Sequence, residues 1–169
     1  MKRILIFILV AYLFPVPMMA QKTMKEYTIL NGRVRMELPV GFHPKSPEKD
    51  DAAEWTDSKD STLLLYHLSN DSITDNDIPA LIDDQIKLAK QDDHSFQYLD
   101  DGIYLQDGKN IGYLKFSSEE FGKKYFNYIF FISVENRLMA VTFVCSWGQH
   151  KKWEPVVDSI ANSLRINLK

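Results

Sequence analysis

Along "KEYTILNGRVRMELP" (residues 25–39) apolar and polar positions alternate in two runs on either side of Asn31-Gly32. Alternation of that period marks strands with one buried face, and Asn-Gly suits a tight hairpin turn whose two central residues take positive φ. The register set by this turn places Ile29 opposite Val34 and Tyr27 opposite Met36 on one side. Thr28 and Arg35 share the other side, so one face is buried and one is wet. "LPVGF" (38–42) closes the second strand, and "HPKSPEKDDAAE" (43–54), with two prolines and mixed charge, reads as an exposed loop. "EWTDSKDSTLLLYHLS" (54–69) predicts a second hairpin turning near Ser58–Asp60.

The period then changes. Ile78, Leu81, Ile82, Ile86 and Ala89 recur at helical spacing up to about Gln91, with Asp83, Asp84, Lys87 and Lys90 outside. Asp77 stands where a cap is expected, and Pro79 lies in the first turn. Strand runs return at about 96–106, 111–119, 124–134 and 137–145, separated by Asp107-Gly108, Phe121-Gly122 and Glu135-Asn136. On "KYFNYIFFISV" the positions Phe126, Tyr128, Phe130, Ile132 and Val134 are all apolar, and "LMAVTFVC" is apolar on both sides, as a central, doubly covered strand should be. A last helix, about Lys151–Leu164, carries Pro155 in its first turn and an apolar stripe of Trp153, Val156, Val157, Ile160 and Leu164. The pattern predicts an α+β fold: an antiparallel β-sheet of about six to seven strands with helices packed on its faces.

The first residues change the picture of where this fold works. Lys2 and Arg3 precede an apolar run of eleven residues, Ile4–Phe14. Pro15 and Pro17 follow, then small Ala20 before Gln21. That is the order of a secretory signal peptide, and the run is shorter than the ~20 residues of a membrane span. Residues 1–20 are therefore expected to be removed, leaving 21–169 as one domain in a secreted or periplasmic location, not membrane-spanning. The whole chain has net charge −3, and loss of the two leader bases makes it −5. A mildly acidic protein does not suit sequence-independent nucleic-acid binding. Its one cysteine cannot form an internal disulfide.

The order of elements resembles the PsbP-like superfamily, on a leader, a hairpin ending in "LPVGF", a middle helix, an antiparallel meander and a C-terminal helix ending in "IANSLRI". That superfamily takes in the extrinsic subunit of photosystem II, a Ran-binding nuclear factor and secreted bacterial proteins of the DcrB type. The resemblance spans about Tyr27–Ile166 and implies an α/β/α sandwich and a non-enzymatic, protein-binding role. It carries no functional residue over, because no motif of that kind is shared.

Candidate chemistry is sparse. Cys145 and His150 stand five residues apart in "TFVCSWGQHKKWEP". Cys145 alternates with Met139, Val141 and Phe143, which points it into an apolar layer and makes it inert. His43, His67, His94 and His150 fall in four elements with no metal-ligand spacing, and "DSITDND" (71–77) lacks the glycine and closing glutamate of a calcium loop. No metal, cofactor or catalytic residue is assigned. The uneven feature is charge: residues 70–101 hold nine acids against Lys87 and Lys90, whereas 102–169 hold nine bases against six acids. Asp83, Asp84, Asp92, Asp93 and His94 are the candidate docking residues for a basic partner, with Trp55 in the 43–60 loop as the other candidate surface. The expected function is that of a secreted accessory module of the cell envelope, binding another protein of unknown identity and not acting as an enzyme. The alternatives are a carrier of small hydrophobic ligands and a hydrolase with dispersed carboxylates. The sequence leaves the oligomeric state open.

Overall fold

The computed structural model describes residues 23–45, 51–57 and 62–166. The expected leader and its expected cleavage point lie outside these residues, as do 46–50 and the second hairpin's turn. The alternation around Asn31-Gly32 gives β1 (Met24–Ile29) and β2 (Val34–Pro39), paired with Tyr27 opposite Met36 and Ile29 opposite Val34 as expected. Their turn is longer than two residues: Leu30, Asn31 and Gly32 all take positive φ. Leu30 is fully buried, which gives a reason for the strain of holding a leucine there.

The second region holds three strands, not two. Behind a short β3 (His43–Pro44) come β4 (Ala52–Asp57) and β5 (Thr62–Ser72). Proline is tolerated in β3 because it is an edge strand. Then follow α1 (Ile78–Asp92), β6 (Gln97–Gln106), β7 (Lys109–Glu120), β8 (Lys123–Val134), β9 (Arg137–Ser146), α2 (His150–Ser163) and β10 (Arg165–Ile166). The three predicted two-residue turns of the meander are present, both residues of each at positive φ, the hand that matches strand twist.

Seven strands form one antiparallel sheet in the order β3-β4-β5-β9-β8-β7-β6. The first hairpin is not part of it. With β10 it makes a separate three-stranded sheet, Arg165 pairing with Arg35 and Ile166 with Val34. Helix α1 carries the chain from β5 to the far edge strand β6. It lies on one face of the large sheet, where Ile78 and Ile82 pack with Leu114 and Phe131. Gly112 makes this close approach possible, because a Cβ there would lie 2.5 Å from Ile78 Cγ2 and 2.8 Å from Ile82 Cδ1. Asp77 occupies the cap position, but its carboxylate turns back to accept Thr74 N (2.8 Å) and Oγ1 (2.6 Å), closing the turn before the helix instead of capping it.

The opposite face is covered by α2 and the small sheet together, so that side is not a purely helical layer. Trp153, Val157 and Ile160 of α2, with Met36 and Leu38 of β2, bury the large sheet's Phe126, Tyr128, Phe130, Val141 and Phe143. The second face of β9 is only half covered, since Ala140, Thr142 and Val144 alternate with its buried residues. Among the described residues no helix is long and apolar enough to cross a membrane.

Candidate functional site

Helix α1 must turn Ile78 and Ile82 to the sheet, and the helical period then divides its outer face into two stripes. Asp83 shares one with Lys87 and Lys90; Asp84 shares the other with Leu88 and Asp92. All six are exposed, Leu88 by 49%. The acidic face foreseen from sequence is therefore narrower than four equal aspartates, because Asp83 sits among lysines.

Asp93 has a local task. Its Oδ1 accepts Ser95 N at 2.7 Å and Ser95 Oγ at 2.6 Å, and these bonds hold the carboxyl below the usual aspartate range. Ser95 Oγ in turn accepts Glu119 N (2.7 Å), tying the turn after α1 to the end of β7. Asp93 therefore shapes the turn that presents its neighbours. His94 is exposed on the wall of an open polar groove of about 510 Å³, shared with Ser95, Gln97, Glu119 and Lys124. Trp55 is elsewhere and not on the surface. It is 3% exposed on β4, its ring 5.7 Å from that of Tyr66, so a partner cannot reach it with the fold closed.

Sequence reading missed a cluster around Lys115. This lysine lies opposite Tyr128 on β8 and Asp100 on β6, and its side chain is only 8% exposed. Nζ is 3.0 Å from Glu154 Oε1, 3.2 Å from Asp158 Oδ1 and 4.0 Å from Asp100 Oδ2. It also lies over the rings of Tyr128 (4.7 Å) and Tyr113 (5.5 Å). Glu154 and Asp158 are four residues apart on α2 and point together from one turn to the next. Tyr128 Oη donates to Asp158 Oδ1 (2.8 Å), with Tyr104 Oη 2.9 Å away, and Tyr113 Oη donates to Asp100 Oδ2 (3.2 Å). Tyr113 folds across Gly102, where a Cβ would lie 2.8 Å from its ring.

Burial pulls the Lys115 amine down, but the hydrogen bonds and charges of Glu154 and Asp158 outweigh it and hold it above the ordinary lysine value. Burial, then the Asp100 charge and hydrogen bond, pushes Tyr113 up to about 12; burial raises Tyr128 further. A charged lysine and two protonated phenols are themselves neither base nor nucleophile at neutral pH, and they engage the three carboxylates around them. What it does is fasten α2 to the sheet. Cys145 is likewise quiet: 1% exposed, its thiol pushed up to about 12 by burial. His150 stacks on Trp147 with centroids 4.2 Å apart, and its Nδ1 lies 2.8 Å from Trp147 O.

No protein-family profile matches the chain, and no curated protein matches it by sequence. Solved structures do match its fold. The Ran-binding protein Mog1p of Saccharomyces cerevisiae aligns with a TM-score of 0.58 at 9% identity, over 86% of this chain and 96% of that one. The cyanobacterial PsbP (CyanoP) of Synechocystis gives 0.57 at 12% identity, over 86% and 94%. LpqN, described as involved in cell envelope biogenesis of Mycobacterium tuberculosis, gives 0.57 at 12% identity, over 86% and 92%. The chain has the PsbP-like fold that its order of elements suggested.

Proposed function

We propose that this chain is a non-enzymatic accessory protein of the cell envelope, secreted by its N-terminal leader, that binds a protein with a basic surface through the outer stripe of α1. The observation that carries this reading is Asp84–Leu88–Asp92: two exposed carboxylates, with no ion pair among the described residues, on either side of an exposed leucine. Such a stripe offers apolar contact with charge around it, and the charge steers encounter with a basic surface. Support also comes from the fold, on which one neighbour is described as Ran-binding and another as acting in envelope biogenesis. At these identities the support is analogy of fold, not of residues. A carrier of hydrophobic ligands is less well supported, because the aromatic face of β8 that it would open is packed as core, Phe126 through Val134 being no more than 1% exposed at alternate positions.

The test is capture from an envelope extract on the purified protein, run in parallel with an Asp84→Asn/Asp92→Asn variant. The identified partner should associate several-fold more slowly with the variant, and added salt should narrow the difference. A partner that binds both forms equally at all salt concentrations removes α1 from the interface.

A further inference from the structure

Strand β6 is an edge of the large sheet, and among the described residues nothing pairs with its outer side. It also carries Tyr98, Leu99, Ile103 and Leu105, four of the seven large apolar side chains that the described residues leave exposed. An open edge of this kind invites another strand, and folds usually blunt it with lysine, proline or a bulge. Residues 97–106 contain no lysine, arginine or proline. The one irregularity falls between Tyr98 and Asp100, which leaves Asp100–Gln106 in regular register with β7.

We propose that the outer edge of β6 is a strand-addition site that takes up an extended segment of a basic protein partner. The proposal rests on the reading of the chain as a binder of such a protein and says how that partner is held. Backbone hydrogen bonds to Asp100–Gln106 supply affinity, and alternate side chains supply selectivity. On the side facing α1 the strand presents Asp101, Ile103 and Leu105, Ile103 lying opposite Gly112 beneath the helix. A matching segment has a basic residue beside Asp101 and apolar residues beside Ile103 and Leu105, the cross-strand pairs that stabilise sheets. On the other side Asp100 is already taken, by Tyr113 Oη (3.2 Å) and the Lys115 ammonium (4.0 Å).

Charge selects this occupant over a second copy of the chain. Strand β6 brings two aspartates and no base, and the exposed Asp84 and Asp92 lie on the helix that packs against the same face. On the neighbouring strands the lysines are engaged, Lys115 in its cluster, Lys109 with Asp75 at 2.8 Å and Lys124 with Gln97 at 2.7 Å, and on α1 Lys87 and Lys90 belong to the stripe of Asp83. A copy would add like charge where a basic segment adds the opposite.

The test uses amide hydrogen exchange on the purified protein with the peptide Thr-Val-Thr-Val-Thr-Lys-Thr-Lys-Thr, whose one face presents two valines to Leu105 and Ile103 and then lysine to Asp101. Comparators are the same peptide with N-methylated valines and the same peptide with glutamate in place of lysine. At saturation the lysine peptide should slow exchange within Asp100–Gln106 by about tenfold or more, in the manner of newly paired amides. Both comparators should leave it unchanged, and the exposed-site variant Ile103→Lys/Leu105→Lys should lose the protection while keeping its unfolding midpoint. Lysine-peptide binding with no protection in β6 overturns strand addition and leaves the acidic docking reading standing. Equal protection by the glutamate peptide, or protection that rises with protein concentration alone, overturns the choice of occupant. Strand protection that persists in the Asp84→Asn/Asp92→Asn variant, together with unchanged capture of the partner, supports β6 and removes α1.

Discussion

Replacing Lys115 with Met deletes one ammonium and keeps an aliphatic stem of similar length against Tyr113 and Tyr128, so it isolates the charge in the cluster. Three carboxylates then face one another without a cation: Glu154 and Asp158, formerly 3.0 and 3.2 Å from Nζ, and Asp100 at 4.0 Å. Breaking a fully buried pair costs about 3–5 kcal/mol. Here only the lysine is buried; the carboxylates are 36–53% exposed, so water screens most of what they lose. A charge-assisted hydrogen bond to a buried donor is worth about 1.5–3 kcal/mol, and the screened remainder brings the expected loss to about 2 kcal/mol. For a chain of this size that is a fall in Tm of about 4–8 °C, readable by thermal or urea unfolding at neutral pH. The sign with pH follows from the raised lysine value. Stability from Lys115 is fully present below the unfolded-state value of 10.5 and is lost as pH rises through the higher folded value. Wild type and Lys115→Met should therefore converge above about pH 10.5. A loss under about 0.5 kcal/mol at pH 7, or a gap that does not close in alkali, refutes the view that this charge holds α2 down.

Intact-mass measurement of protein recovered from outside the cytoplasm should show cleavage after Ala20; a retained apolar leader would overturn the secretory reading. Cys145 should resist thiol reagents until the protein unfolds, and Cys145→Ala should cost on the order of 1 kcal/mol; fast native labelling would contradict its burial. Gly112→Ala should cost about 2 kcal/mol in urea unfolding, by pushing Ile78 and Ile82 off the sheet, and an unchanged midpoint would mean that α1 rides higher than its contacts imply. Spectroscopic titration of Tyr113→Phe should lose a phenol ionising at about 12, and loss of one near 10 instead would place Tyr113 in water.

Local pattern made much of the fold legible. Alternation plus a turn fixes which residues face each other, and so Tyr27–Met36 and the three turns of the meander could be read directly. What could not be read were pairings between segments far apart in sequence. Arg165 and Ile166 have no strand pattern of their own; they pair because α2 delivers them beside Arg35 and Val34. The loop after "LPVGF" hid a strand for the opposite reason, since its prolines signal irregular chain, yet Pro44 pairs with Trp55 at a sheet edge where a missing N–H costs little. That pairing carries Trp55 inward, and with it the surface role that the loop suggested.

The Lys115 cluster was half legible. Counting back from Phe121-Gly122 sets Lys115 opposite Tyr128, and counting back from Asp107-Gly108 sets it opposite Asp100. A lysine placed by register on the buried face, with a tyrosine on one side and an aspartate on the other, needed another acid from somewhere; periodicity within α2 could not say which face of the sheet that helix would cover. Once it covers this one, Glu154 and Asp158 are spent on Lys115, Asp93 on Ser95 and Asp77 on Thr74. Negative charge that the fold already uses for itself is weakly available to a partner. Asp84 and Asp92, which the described residues leave without such a use, and Asp101, whose bond is to the neutral hydroxyl of Tyr98, are the carboxylates on which a docking surface can draw.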